Sequence, residues 1–182
     1  MSDMAVVTCD ARVDLEWELA AAQRLARHPR CGPAVDTLNL RIDAAPWGVG
    51  FVEITDMTYE PSEAGDAALI VAAEAGGELV DLVVCRLGDR AMATRRGIAT
   101  VLGEDALERA RWSGEKLLLY ETAAGWMHGG FLGAVVLDWR CARWAFADVS
   151  DIACATAALA RRVHSTLTVP AQMPRLFFAS AA

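Results

Sequence analysis

From Ala67 to Ala73 the chain passes through seven apolar residues with no polar one among them, and Leu79–Leu87, interrupted only by Asp81 and Arg86, is a second long apolar stretch. Runs of this length suit strands covered on both faces, which a sheet achieves only when other layers pack on each side of it. The chain of 182 residues, 54% of them apolar, has the material for such layers. A domain of that size buries about 70% of its unfolded surface, so it needs neither disulfides nor metal to hold a core. The reading is one α/β domain over residues 1–182 with no internal repeat or linker.

The pattern divides into three regions. Asp10 is placed to cap a helix reaching His28, with Leu15, Leu19, Ala22 and Leu25 on one stripe and Pro29 as its stop. Residues 38–95 alternate as an antiparallel sheet does: Leu38–Ile42, Gly50–Met57, Ala67–Ala73, Leu79–Leu87 and a hairpin partner at Ala91–Arg95. Pro61–Asp66 breaks that series. Residues 103–178 change rhythm. A helix is expected at Gly103–Trp112, followed by apolar strands at Lys116–Glu121, Ala134–Leu137, Asp151–Cys154 and Arg175–Phe178. Helical segments at Ala123–His128, Arg140–Phe146 and Thr156–Leu167 separate these strands, and the connections are of the length parallel crossovers require. The expected architecture is a mixed sheet, antiparallel in its first half and parallel βαβ in its second, with helices packed on it.

The net charge of −7 disfavours non-specific binding to duplex nucleic acid. Five cysteines without a CxxC pair, and Asp3 and Asp10 where a secretory signal would be basic and then apolar, point to reduced thiols and a soluble cytoplasmic protein. The longest uncharged stretch, Thr122–Leu137, is too short and too rich in glycine to span a bilayer.

Several fragments look like chemistry and lack its other half. Met127-His128-Gly129-Gly130 resembles the oxyanion loop of α/β-hydrolase esterases, but no serine stands in a Gly-x-Ser-x-Gly elbow. Trp47-Gly48-Val49-Gly50 has no helix after it to cradle a phosphate. Cys141, Cys154 and His164 share a region, yet Cys154 within Ile-Ala-Cys-Ala reads as a small buried apolar residue.

Two carboxylates remain as catalytic and metal-ligating candidates. Glu74 follows the run Ala67–Ala73 and Asp138 follows Gly133–Leu137, so each stands at a strand end, where α/β sheets place ligands. The order of an acidic residue with glycine after one strand and Asp after a later one resembles the Toprim domain of primases and topoisomerases, over roughly residues 67–145. That resemblance implies a Mg²⁺-dependent activity on nucleic acid, with Glu74 and Asp138 as ligands. The sequence departs from the family pattern twice. Arg140 stands where Asp-x-Asp would supply a second ligand, and Ala75 separates Glu74 from its glycine, so metal binding would be impaired.

The remaining signal is aromatic. Six tryptophans accompany only two tyrosines, and Trp139 and Trp144 share a segment with Arg140 and Arg143. Trp and Arg dominate the energetic centres of protein interfaces. With no complete catalytic set, the leading expectation is a non-catalytic or degenerate domain without cofactor, binding a protein partner or its own copy through Trp139, Arg140, Arg143 and Trp144. The Toprim-like enzyme with Mg²⁺ is the alternative, and a sensor of small ligands or nucleotides a further one.

Overall fold

The computed structural model describes residues 13–28 and 46–168. The expected cap Asp10 and the expected strands Leu38–Ile42 and Arg175–Phe178 lie outside the described residues. Helix α1 runs over Leu15–Ala26, so it starts later than the sequence pattern suggested, and its cap is Asp14, whose side chain accepts the Trp17 N–H. Leu15, Ala22 and Ala26 form its buried stripe.

Five strands follow: β1 (Trp47–Thr55), β2 (Thr58–Pro61), β3 (Asp66–Ala75), β4 (Glu78–Arg86) and β5 (Met92–Thr94). β1 pairs antiparallel with β2 and β3, β3 with β4, and β4 with β5, while a single parallel contact between Thr58 and Thr94 closes the ring in the order β1-β2-β5-β4-β3. The β3–β4 connection is the tight Gly76-Gly77 turn, with both residues at positive φ as a two-residue hairpin of this twist demands.

The rest of the chain builds a second sheet from β6 (Val101–Leu102), β7 (Leu117–Tyr120), β8 (Ala134–Val136) and β9 (Ile152–Cys154), with helices α2 (Glu104–Ser113), α3 (Ala123–His128), α4 (Ala142–Ala145) and α5 (Ala157–Thr168). Its order is β6-β8-β7-β9; β7 runs parallel to β8 and β9, and β6 pairs antiparallel with β8 at the edge.

The chain therefore has helices with both antiparallel and parallel strands, divided between two sheets instead of gathered in one. The reason is edges. β1 and β4 occupy both edges of β3, and the β2–β5 contact closes the ring, so no strand is left for β7–β9 to extend. The short strands β2 and β6 lacked a periodic signal long enough to be read.

Within the run Ala67–Ala73, residues 68–73 are buried on both faces, as the composition required. Ala68 and Ile70 join Val52, Tyr59, Leu82, Val84 and Ala93 under α1. Leu69, Val71 and Ala73 face the opposite way, with Val49, Val83 and Cys85, against Trp126, Met127 and Val135 of the second unit. Barrel and second sheet thus share one core. β7 buries Leu117 and Leu119, but Leu118 points out and is 38% exposed. Among the described residues no helix is long and apolar enough to cross a membrane.

Candidate functional site

The two crossovers of the second sheet leave on opposite faces. β7 feeds α3, whose Ala123, Ala124, Trp126 and Met127 pack toward the barrel. β8 feeds α4, whose Ala142 and Ala145 pack with Leu107 of α2 and Leu159 of α5 on the other face. Where neighbouring parallel strands send their connections to opposite faces, a crevice opens between their carboxyl ends. Here the lip is formed by Glu121 and Thr122 after β7 and by Asp138 after β8.

Asp138 is already engaged. Its Oδ1 accepts the Arg140 backbone N–H at 2.9 Å, and its two oxygens accept the Arg140 guanidinium through Nε and Nη2 at 2.9–3.2 Å. Cys141 Sγ lies 3.6 Å from Oδ2. The Arg140 guanidinium, followed by the backbone N–H, holds the Asp138 carboxyl below the usual carboxylate range, and burial opposes this only in part. A cation bound to both oxygens takes the place a divalent ion would need. Glu121 accepts the Thr156 hydroxyl at 2.8 Å, and the same hydroxyl oxygen accepts the Leu159 N–H to start α5. Among the described residues no group of three His, Cys, Asp or Glu is arranged to hold a metal ion.

Glu74 lies elsewhere. It sits on the antiparallel β3, opposite Leu79 and beside a register shift, and it lines a cavity of about 340 Å³ with Glu104, Asp105, Arg109, Trp126 and Phe131. Asp138 is not part of that lining. The two carboxylates singled out from the sequence belong to different sheets. The residue that stands at the strand tip next to Asp138 is Glu121, which the same reasoning could have found, since it closes the apolar strand Leu117–Tyr120 just before the cap Thr122.

The aromatic candidates separate as well. Trp139 packs on the second core with the Arg162 guanidinium 4.0 Å from its ring centroid. Arg140 is committed to Asp138, and Arg143 Nη2 donates to the Leu167 carbonyl, 3.2 Å away. Trp144 is 80% exposed, and Trp112 on α2 is 85% exposed. A groove of about 450 Å³ runs beside Trp144, walled by Val80, Ile98, Thr100, Leu107 and Arg111. Arg111 ties its two helical walls together: Nη2 donates to the Ala145 carbonyl at 2.7 Å, and Nη1 is paired with Glu108, which also accepts the Trp112 indole N–H at 2.8 Å. Ile98 is exposed at the groove although the backbone beneath it is fixed. Sequence reading missed Ile98 because the segment after β5 has no periodicity to interpret, and missed Arg111, although its helix was expected, because its bond to the Ala145 carbonyl joins distant parts of the chain.

The thiols are poor nucleophiles in these surroundings. Burial, and for Cys141 also the neighbouring Asp138, raises the Cys141 and Cys154 thiols above their ordinary value. Comparison with protein-family models, with curated proteins and with solved structures finds no match to this chain.

Proposed function

We propose that this chain acts by binding a protein partner, which places an apolar side chain against Trp144 and Ile98 and carboxylates against the arginines around them. The observation that carries the reading is the pair of indoles, Trp112 and Trp144, left in water on two helices locked together through Arg111. Indoles left exposed on helices tied to each other suit an interface, and Trp and Arg are the residues that most often supply its binding energy. Charge sets the class of partner. Residues 138–168 carry four Arg and three Asp, with Arg140 paired to Asp138, in a chain of net charge −7, so α4 and α5 form a slightly basic end on an acidic molecule. That end attracts an acidic segment and repels a basic one.

The test is to isolate a partner from the host on immobilised protein, purify it, and measure binding of the two components by calorimetry. Trp144→Ala weakens that binding by about thirtyfold or more, the ~2 kcal/mol of an interface hot spot, while circular dichroism stays unchanged. No partner, or one held equally by Trp144→Ala, defeats the reading.

A second reading has one specific observation in its favour: Glu121 and Asp138 at the tips of adjacent parallel strands meet the demand of a Toprim-like Mg²⁺ site better than Glu74 does. On this reading Arg140 suppresses the metal. Mn²⁺-dependent cleavage or synthesis of nucleic acid that is lost in both Glu121→Gln and Asp138→Asn would favour it over partner binding.

A further inference from the structure

A cavity of about 480 Å³ lies between α1 and the barrel, far along the chain from the groove at Trp144. Its walls are Val13, Trp17, Ala21, Leu25, Phe51 and Ile70, and its polar lining consists of Asp14, Glu18 and Arg95. Trp17 and Phe51 are 66% and 45% exposed. The volume is that of a small-molecule site, which is typically apolar with a few fixed polar groups.

The polar groups are not equivalent. Asp14 is spent on capping α1. Glu18 has both oxygens occupied, Oε1 by the Tyr59 hydroxyl at 2.8 Å and Oε2 by Arg95 Nε at 2.9 Å. Arg95 is held from three further sides: Nη1 lies 2.9 Å from Glu60 Oε2 and donates to the Tyr59 carbonyl at 3.4 Å, and the guanidinium carbon is 5.8 Å from the Tyr59 ring centroid. Its side chain is only 12% exposed. Among the described residues nothing accepts from Arg95 Nη2. A nearly buried guanidinium with one nitrogen unspent, on the wall of an otherwise apolar cavity, is a preformed hydrogen-bond donor, and it costs no further ordering when a ligand arrives. Since Glu18 and Glu60 already balance its charge, the acceptor that suits it is neutral.

We propose that the α1–barrel cavity is a binding site for an apolar small molecule bearing one neutral carbonyl, with the carbonyl oxygen accepting from Arg95 Nη2 and the hydrocarbon body lying against Trp17, Phe51 and Ile70. A carboxylate of the same length is disfavoured, because it would be a third anion around a single guanidinium. An alkylamine, protonated to the ammonium at neutral pH, offers no acceptor.

The experiment uses the full chain and three probes of equal length, 2-nonanone, octanoate and octylamine, followed by calorimetry and by the NMR shift of the Trp17 indole N–H. The ketone binds one to one and moves the Trp17 signal, octanoate binds at least about tenfold more weakly, and octylamine leaves the signal in place. Ala21→Phe fills the cavity from α1 without touching the Arg95 network, and it abolishes ketone binding while the circular dichroism spectrum is retained. Should Ala21→Phe fail to fold, the ranking of the three probes on the unmodified chain decides. No ketone binding, a carboxylate or amine that binds as well as the ketone, or a folded Ala21→Phe that still binds it overturns the proposal.

Discussion

The wholly buried carboxylate of Asp81 on β4 accepts the backbone N–H of Ile98 at 2.9 Å, and so fixes the segment that leads from the barrel into the second sheet. The same oxygen takes the Ala99 N–H at 3.1 Å, while the other takes those of Arg96 and Leu82 at 2.9 and 2.8 Å. Four donors converge on one carboxylate, and among the described residues no ion pair includes it. Asp81→Asn turns a donor toward donors, and Asp81→Ala leaves buried N–H groups without acceptors. Either costs about 3–5 kcal/mol, the range for breaking a buried charged hydrogen-bond set, and urea denaturation measures it. Ile98→Ala, which removes only an exposed side chain, costs less than ~1 kcal/mol. Equal losses for Asp81→Asn and Ile98→Ala would show that water substitutes for the carboxylate.

Val135 and Leu118 give the second test. Val135 on β8 is fully buried in the core shared by barrel and second sheet, whereas Leu118 on β7 is 38% exposed. Val135→Asp places an unpaired charge among Trp126, Met127 and Leu69, at a cost large enough to abolish soluble expression. Leu118→Asp stays soluble and folded, with a change of about 1 kcal/mol or less. Expression yield and circular dichroism of the two variants separate the outcomes, and a folded Val135→Asp would mean that β8 is not the buried strand described.

The contrast within β7 shows where sequence stopped being informative. Alternation in Leu117–Tyr120 is invisible because all four residues are apolar, so which of them faces out depends on what packs above, and Leu118 is left partly exposed. Long runs were legible for the opposite reason: Ala67–Ala73 must be covered twice whatever its neighbours, and Ala123–His128 and the Thr156 cap are set by local rules. Ring closure was not legible, since it rests on one contact between Thr58 and Thr94 and on a four-residue strand. Whether Glu74 and Asp138 share a crevice was not legible for the same cause. Each was recognised as a strand end, but sharing a crevice requires sharing a sheet, and sheet membership is a property of strand pairing, not of either residue's neighbourhood.

The Asp138–Arg140 bridge has a pH signature. The carboxyl is held below the ~3.9 of a free aspartate, chiefly by the Arg140 guanidinium. In the unfolded chain Asp138 therefore takes up its proton at higher pH than in the folded one. The stabilisation is fully present above the unfolded value and is lost as pH falls through the folded one. Arg140→Ala returns the carboxyl toward its ordinary value and removes that part of the acid-side slope. Carboxyl-carbon NMR titration reads both species. An Asp138 that titrates normally in the unmodified chain would remove the argument that Arg140 occupies the metal position.

Tyr59 supplies the alkaline counterpart. Its side chain is almost wholly buried beneath α1, and its hydroxyl donates to Glu18 Oε1 at 2.8 Å. Burial first, and then the Glu18 charge, push the phenol well above its ordinary value. Above about pH 10 the unfolded chain releases this proton while the folded chain retains it. The folded state then binds more protons than the unfolded one, so stability is complete below that pH and falls as pH rises beyond it. Tyr59→Phe removes this slope, and by leaving Glu18 Oε1 without its donor it lowers neutral-pH stability by about 1–3 kcal/mol. Calorimetric Tm values across about pH 8–11, set beside absorbance titration of the tyrosines, test both parts. A Tyr59 that ionises in the folded protein at the ordinary pH, or a Tyr59→Phe variant with the same alkaline slope, would mean that α1 does not seal the barrel at Glu18, and would remove the scaffold that holds Arg95 in place.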